Sequence, residues 1–353
     1  MQKKSGLLAS AAVLFLLSAC GENNEDGTPV NENQDNASAE NDADEGHVSD
    51  DNSSNNNNGA DENENNYETN EEEQNDQEAA EERPEEITLG FVPSSDSDEI
   101  AATVEPLAEQ LSDELGIDVE GTVLTNYSAL VEAMGNGQVE VGFIPAFAYV
   151  LASERYDIES ILKSVRDGED SYRAQYVVRA DSEFETLEDL EGAEWAFVDV
   201  ASTSGYLFPA TQIRNDFGMN EEEFFGSMME AGSHDNAAIT VLEGNADVAT
   251  TFEDARGIIE DDYPEVFDEE TGLRVLDYTE PIPNDTISVI GELDDAFVEE
   301  IREAMLAFND DDDMIDVMYD VYEWTGITEA EDSDYDIVRD AYGEFADEVD
   351  PLD

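Results

Sequence analysis

Trp195-Ala196-Phe197-Val198-Asp199-Val200-Ala201-Ser202-Thr203-Ser204-Gly205-Tyr206 is the stretch on which the fold turns. Its first half is apolar and reads as a buried strand. Its second half is a hydroxyl-rich turn, and Leu207 to Phe217 then reads as a helix. A strand that passes through such a turn into a helix is the unit of an α/β protein. The turn also offers unpaired backbone N–H groups, three hydroxyls (Ser202, Thr203 and Ser204) and the positive end of a helix dipole, which together suit a tetrahedral oxyanion. Serine and threonine cap ordinary helices as well, so spacing alone leaves both readings open.

Working outward, the segment Ile87-Thr88-Leu89-Gly90-Phe91-Val92 predicts a strand. Glu99 to Leu115 carries Ile100, Val104, Leu107, Leu111 and Leu115 at helical spacing and stops at Gly116. Ile117–Leu124 and Val139–Ile144 predict further strands, with a short helix at Ala129–Met134 between them. A second set starts near Gln175–Arg179. It takes in the Trp195 strand, a helix at Asn236–Leu242 and strands at Asp247–Thr251, Leu273–Leu276 and Thr286–Ile290, and the chain finishes in helices. The order predicts mostly parallel sheets in two lobes, about 87–176 with 280–353 and about 177–279. Two chain crossings, near Gln175–Arg179 and Asp277–Glu280, would form the hinge, with a ligand cleft at the strand ends between the lobes.

The start of the chain speaks to compartment. Lys3 and Lys4 precede an apolar run, Leu7–Leu17, too short to span a bilayer and laid out as a secretory signal. It closes with Leu17-Ser18-Ala19-Cys20-Gly21, which resembles a bacterial lipobox. Cys20 is the one cysteine of the chain, so no internal disulfide can form and lipidation of Cys20 is the expectation. Residues 21–86 are rich in Asn, Asp and Glu and nearly free of large apolar side chains, the composition of a disordered acidic linker.

The chain carries 93 acidic and 13 basic residues, a formal net charge of −80. Setting aside residues 1–86 leaves 69 acids and 10 bases, and Lys163 is the only lysine among them. Self-repulsion of this size is relieved where salt shortens the Debye length to about 3 Å at 1 M, which implies a halophilic setting. Nucleic acid and anionic membrane surfaces are poor partners for a surface of this charge.

No catalytic set competes with a binding role. The predicted fold contains no cysteine and one histidine, His234; the other histidine, His47, lies in the linker. No nucleophile elbow, Gly-rich phosphate loop with a following lysine, or Cys/His metal spacing occurs, so neither an enzyme nor a cofactor is expected.

From about Ile87 to Asn309 the chain resembles the substrate-binding components of ABC importers for phosphonate, phosphite and phosphate, the PhnD-like group. The segments that carry the resemblance are Leu89–Pro93, Ser202–Tyr206 with Pro209, His234-Asp235-Asn236-Ala237-Ala238, Gly244–Thr250 and Pro281-Ile282-Pro283-Asn284-Asp285. The resemblance implies a two-lobed type II periplasmic-binding-protein clam-shell and a ligand pocket. Ser202, Thr203 and Ser204 would hold the phosphorus oxygens, His234 would donate to the same group and take its charged form beside the anion, and Tyr127 would line the pocket. Tyr172 or Arg173 would add an aromatic or a bidentate cationic contact, the register being open by one residue. Asp254, with Glu253 as its neighbouring alternative, and Asp285 would receive an ammonium group, which favours a zwitterion such as 2-aminoethylphosphonate over phosphate. Ile144–Tyr149 would form the cleft floor. The implied partners are importer permease and ATPase subunits, with the protein itself a monomer. A sensory receptor of the same fold, or a binder of phosphate or phosphite, is the alternative reading.

Overall fold

The structure, a computed structural model, describes residues 83–344 and 351–352. The expected signal, Cys20 lipobox and most of the 21–86 linker lie outside the described residues. The ordered chain begins with β1 (Glu86–Phe91), α1 (Ser97–Leu115), β2 (Asp118–Val123), α2 (Tyr127–Gly135), β3 (Val141–Ile144), α3 (Ala146–Arg155) and β4 (Ile158–Val165). It continues through β5 (Ser171–Tyr172), β6 (Ala174–Arg179), β7 (Glu194–Phe197), α4 (Phe208–Phe217), α5 (Glu221–Phe224), β8 (Ser227–Glu230), α6 (His234–Leu242), β9 (Val248–Phe252) and β10 (Leu273–Tyr278). It ends with β11 (Ile282–Pro283), β12 (Thr286–Ile290), α7 (Asp295–Ala307), α8 (Asp312–Tyr322), β13 (Gly326–Glu329) and α9 (Asp336–Gly343).

Two sheets organise these elements. A six-stranded sheet runs β13-β4-β12-β3-β1-β2, and a five-stranded sheet runs β10-β6-β9-β7-β8. The parallel pairing expected from the β-α-β order is present where a helix makes the crossover: β1 pairs in parallel with β2 and β3, and β7 with β8 and β9. Elsewhere the pairing is antiparallel, because the strands that bring the chain back across each sheet (β12 between β3 and β4, β6 between β9 and β10) run against their neighbours. Both sheets are therefore mixed rather than mostly parallel.

The two segments that pass from one sheet to the other lie side by side as a ribbon, β5 against β11, with Tyr172 opposite Ile282 and Ser171 opposite Pro283. The crossings had been expected at Gln175–Arg179 and Asp277–Glu280. Gln175–Arg179 instead lies inside β6, hydrogen-bonded on both sides, and residues 174–176 belong to the five-stranded sheet. A strand paired along both edges cannot serve as a connection that bends.

The inner strands of each sheet are buried on both faces, which explains the continuous apolar runs seen in the sequence. Every residue of β3, β9 and β12 is buried. In β7, Trp195, Ala196 and Phe197 are buried, and the Trp195 ring stacks on Tyr206 at 5.6 Å and meets Phe225 at 4.7 Å. Trp195 Nε1 donates to Thr250 Oγ1 at 2.9 Å, and Thr250 Oγ1 donates onward to the Gly205 carbonyl at 2.6 Å. Tyr206 Oη donates to Glu221 Oε1 at 2.7 Å. The turn after β7 is thus tied to two neighbouring elements, by packing and by satisfied polar groups.

Candidate functional site

The hydroxyl turn does not enter an ordinary helix. Residues Thr203–Leu207 form a single widened turn in which the Leu207 amide reaches back five residues to the Ser202 carbonyl at 3.1 Å, before α4 begins. Such π-turns recur at functional sites. Ser202 caps it, its Oγ accepting from the Gly205 amide at 3.0 Å. Asp199 accepts from the Ala201 amide at 2.8 Å and from the Tyr127 amide at 3.3 Å, which joins the turn to the start of α2 across the two sheets. The amides of Thr203 and Ser204, at the head of this turn, carry no hydrogen bond among those of the described residues. Two free N–H groups at a helix start are an anion site in waiting.

That turn opens onto a cavity of about 440 Å³ between the sheets. Six of the residues expected at the ligand line it: Tyr127, Tyr172, Ser202, Ser204, His234 and Asp285. All but Asp285 are at least nine-tenths buried. Their protonation states make them donors. Burial, followed by the nearby Asp199, raises the Tyr127 hydroxyl well above its ordinary range. Burial raises Tyr172 as well, against the hydrogen bonds its oxygen makes with Ser204 and Thr203.

The surroundings of His234 hold its imidazole neutral. Burial first, and the charge of Arg166 second, push it down to about 3. Its Nδ1 accepts from the Phe252 amide at 3.3 Å, which leaves the hydrogen on Nε2. His234 is therefore a neutral donor. Because its folded value lies below the ordinary ~6.5, the unfolded chain takes up the proton first. Its contribution to stability is complete above pH ~6.5 and is lost as pH falls towards 3. Denaturant midpoints of the wild type should accordingly drop relative to those of His234→Gln over that window. Parallel curves would show that the imidazole is not buried neutral.

Three expected ligand residues are placed elsewhere. Thr203 does not line the cavity: its Oγ1 accepts from the Phe147 amide at 2.9 Å, so the hydroxyl supports α3. Arg173 is exposed. The backbone that carries it runs from β5 into β6, and its N–H donates to Glu253 Oε1 at 3.0 Å while its side chain stays off the cavity wall. Of the two register choices, Tyr172 is the one facing the cavity. Asp254 is exposed at φ 69° at the start of a 3-10 turn, outside the lining, and Glu253 is likewise outside it. Tyr149 is core: its hydroxyl donates to Asp332 at 2.6 Å, away from the cavity, although Ile144 and Pro145 do form part of the wall.

The sequence reading missed Arg166, the one basic residue among those lining the cavity. It precedes Asp167-Gly168, both at positive φ (50° and 84°), in a two-residue hairpin turn closed by the Arg166↔Glu169 bridge. The Asp-Gly pair was the available signal. Its guanidinium lies over the rings of Tyr172 (5.5 Å) and Phe252 (5.2 Å) and meets Asp285 Oδ2 at 3.1 Å. Asp285 is thus already paired with a cation, so the two-carboxylate seat for an ammonium group is not assembled. Ser94 and Ser95, after β1, and Tyr322 and Glu323, at the end of α8, complete much of the wall. The Ser94 carbonyl accepts from the His234 amide at 2.9 Å, and Tyr322 Oη donates to the Val92 carbonyl at 2.9 Å. The pair Ser94-Ser95 between a strand and a helix repeats the pattern of the 202–204 turn and could have been read from it.

Among the described residues no cluster of His, Cys, Asp or Glu could hold a metal ion, and no helix is long and apolar enough to cross a membrane. Two α/β sheets joined by a paired double crossing, with neutral donors converging on the cavity between them, define a two-lobed solute-binding protein of the type II periplasmic class. The chain belongs to the family described as ABC transporter, phosphonate, periplasmic substrate-binding protein, which matches residues 89–335. Members of that family are transporter components that bind a substrate and do not transform it.

Among curated proteins, the phosphate-import protein PhnD of Mycolicibacterium smegmatis is 30% identical over 180 residues, 48% of this chain and 56% of that protein. The chain therefore spans little more than half the length of that relative. Among solved structures, a binding protein component of an ABC phosphonate transporter from Pseudomonas aeruginosa matches with a TM-score of 0.66 and 22% identity, covering 74% of this chain and 86% of that one. PhnD1 from Prochlorococcus marinus, solved with methylphosphonate, matches with a TM-score of 0.66 and 18% identity over 75% and 99%. At these identities the two structures speak for the fold.

Proposed function

We propose that this protein is the extracytoplasmic solute receptor of an ABC importer, tethered to the outer face of the cell membrane through lipidated Cys20, and that it closes its two lobes on a phosphorus oxyanion. The observation that carries the reading is the convergence, in one buried cavity, of the hydroxyls of Ser202, Ser204, Tyr127 and Tyr172 and the neutral imidazole of His234, beside a turn whose Thr203 and Ser204 amides carry no hydrogen bond among those of the described residues. Such donors suit a tetrahedral oxyanion without requiring a lysine. An organic phosphonate is the favoured ligand over phosphite or phosphate, since the cavity of about 440 Å³ leaves room beyond the oxyanion, beside the rings of Phe143 and Phe252.

Closure about the β5–β11 ribbon would bring the lobes together and present the closed monomer to the permease and ATPase subunits. The relatives named above support this reading through what their names say they import or bind. The acidic surface supports a halophilic setting, and the acidic 21–86 segment would serve as a spacer between the binding domain and the bilayer.

Calorimetry in molar salt with 2-aminoethylphosphonate, methylphosphonate, phosphite and phosphate tests the reading. At least one should bind stoichiometrically without turnover. Ser204→Ala should weaken every phosphorus oxyanion about tenfold, the cost of one hydrogen bond of ~1.4 kcal/mol to a charged group. Absence of binding to all four compounds would reject the function.

A further inference from the structure

The ion pair in the cavity wall is built with more care than a neutral oxyanion cradle requires. Arg166 follows β4 and Asp285 precedes β12, neighbouring strands of the six-stranded sheet, and the Ser164 amide donates to the Asp285 carbonyl at 2.9 Å. The hairpin bridge fixes the Arg166 backbone from its other side, with amide-to-carbonyl distances of 3.1 and 2.9 Å to Glu169. Both side chains are largely sequestered, at 16% and 15% exposure. Asp285 takes one N–H of the guanidinium at 3.1 Å, Glu323 stands 3.7 Å from another nitrogen, and Nε is buried with no hydrogen-bond partner. The guanidinium is thus packed between two rings with donor capacity unspent, beside the oxyanion donors. Its charge is felt at His234 and at Tyr172.

We propose that Arg166 is the cationic contact for the ligand and Asp285 its internal counter-anion, a pairing that sets the site to accept singly charged phosphorus oxyanions, such as phosphonate monoesters, ahead of doubly charged ones. This rests on the functional reading above. Arg166 and Asp285 together contribute no net charge, so the cavity offers an entering anion neutral donors plus a cation already claimed. A second negative charge on the ligand strengthens its hydrogen bonds to the neutral donors but is repelled by Asp285, held 3.1 Å from the guanidinium in the same wall. A carboxylate paired with a largely buried guanidinium acts against a dianion more than against a monoanion, and a short-range effect of this kind persists in high salt because the pair is shielded from solvent.

The test compares methylphosphonate at alkaline pH, where it is doubly charged, with its monomethyl ester, which bears a single charge throughout. Binding is measured by calorimetry in molar salt. The wild type should bind the ester at least as tightly as the dianion. Asp285→Asn frees the guanidinium of its counter-anion and should raise dianion affinity about tenfold and ester affinity about threefold, reversing the preference. Arg166→Gln should weaken both ligands, the dianion more. Should Arg166→Gln fail to give a cooperative melt, Arg166→Lys keeps the charge without the planar fork and should retain part of the dianion affinity. A wild type that binds the dianion more tightly than the ester, or an Asp285→Asn variant with an unchanged ratio, overturns the proposal while leaving the functional reading in place. A wild type that binds neither compound, nor any other phosphorus oxyanion, overturns both.

Discussion

Gly205→Ala should cost the protein most of its affinity for phosphorus oxyanions, about a hundredfold, and destabilise the fold by about 1–3 kcal/mol. A methyl group at this position would stand 2.5 Å from Val198 Cβ, 2.6 Å from Val198 Cγ2 and 2.7 Å from Ser202 Oγ. Val198 is fully buried and branched at Cβ, so it has little freedom to turn away. Ser202 Oγ is the cap that accepts from the Gly205 amide, and the Gly205 carbonyl accepts from Thr250 Oγ1. The turn can admit the methyl only by moving away from β7. That shift would displace the Thr203 and Ser204 amides, the two free groups at the head of the turn from which the proposed anion site is built. A melt and a calorimetric titration check both halves of the expectation. A variant with the wild-type midpoint and affinity would show that the turn is looser than its packing implies.

Withdrawal of salt should have an effect of similar size on stability. Several of the described cations are already committed to acids: Lys163 to Asp334 and Asp170, Arg166 to Asp285, Arg179 to Asp181, Arg302 to Glu299 and Glu329, and Arg339 to Asp332 and Asp336. The excess of carboxylates therefore repels itself with little internal compensation. As the Debye length grows from about 3 Å at 1 M salt to about 30 Å at 0.01 M, each surface acid comes to feel many more of its neighbours. A loss of about 3 kcal/mol or more is expected, which for a domain of this size lowers the melting temperature by roughly 6–12 °C. Melting temperatures measured across that range, in chloride rather than sulfate to limit preferential-exclusion effects, provide the check. A flat dependence would reject the halophilic reading.

These two expectations draw on different levels of information. The acidic surface is a matter of composition, and any compact arrangement of these residues would display it. The hydroxyl turn was legible for a related reason: strand, turn and helix are contiguous in the chain, so local preferences and packing act in the same direction. Tyr127, Tyr172, Ser202, Ser204 and His234 stand at starts and ends of elements, where a sequence resemblance can place them within a residue. The parallel halves of both sheets followed from the alternation of strands and helices.

The antiparallel returns, the true crossings and the electrostatics of the pocket came only from the tertiary structure. β5 and β11 are two residues each, too short to carry any periodicity, and they exist as strands because each has the other to pair with. Arg173 and Arg166 are seven residues apart, and nothing local distinguishes the exposed cation from the sequestered one; the hairpin at Asp167-Gly168 and the rings of Tyr172 and Phe252 decide it. Asp285 looked like a seat for an ammonium group until Arg166 was found 119 residues away in sequence and 3.1 Å away in space. Contiguous residues determined the turn proposed to hold an anion, because backbone amides belong to the local chain. Charge balance around that anion was decided by residues distant in sequence, because Coulomb energy depends on separation in space and on burial, and both are set only once the two sheets have packed together.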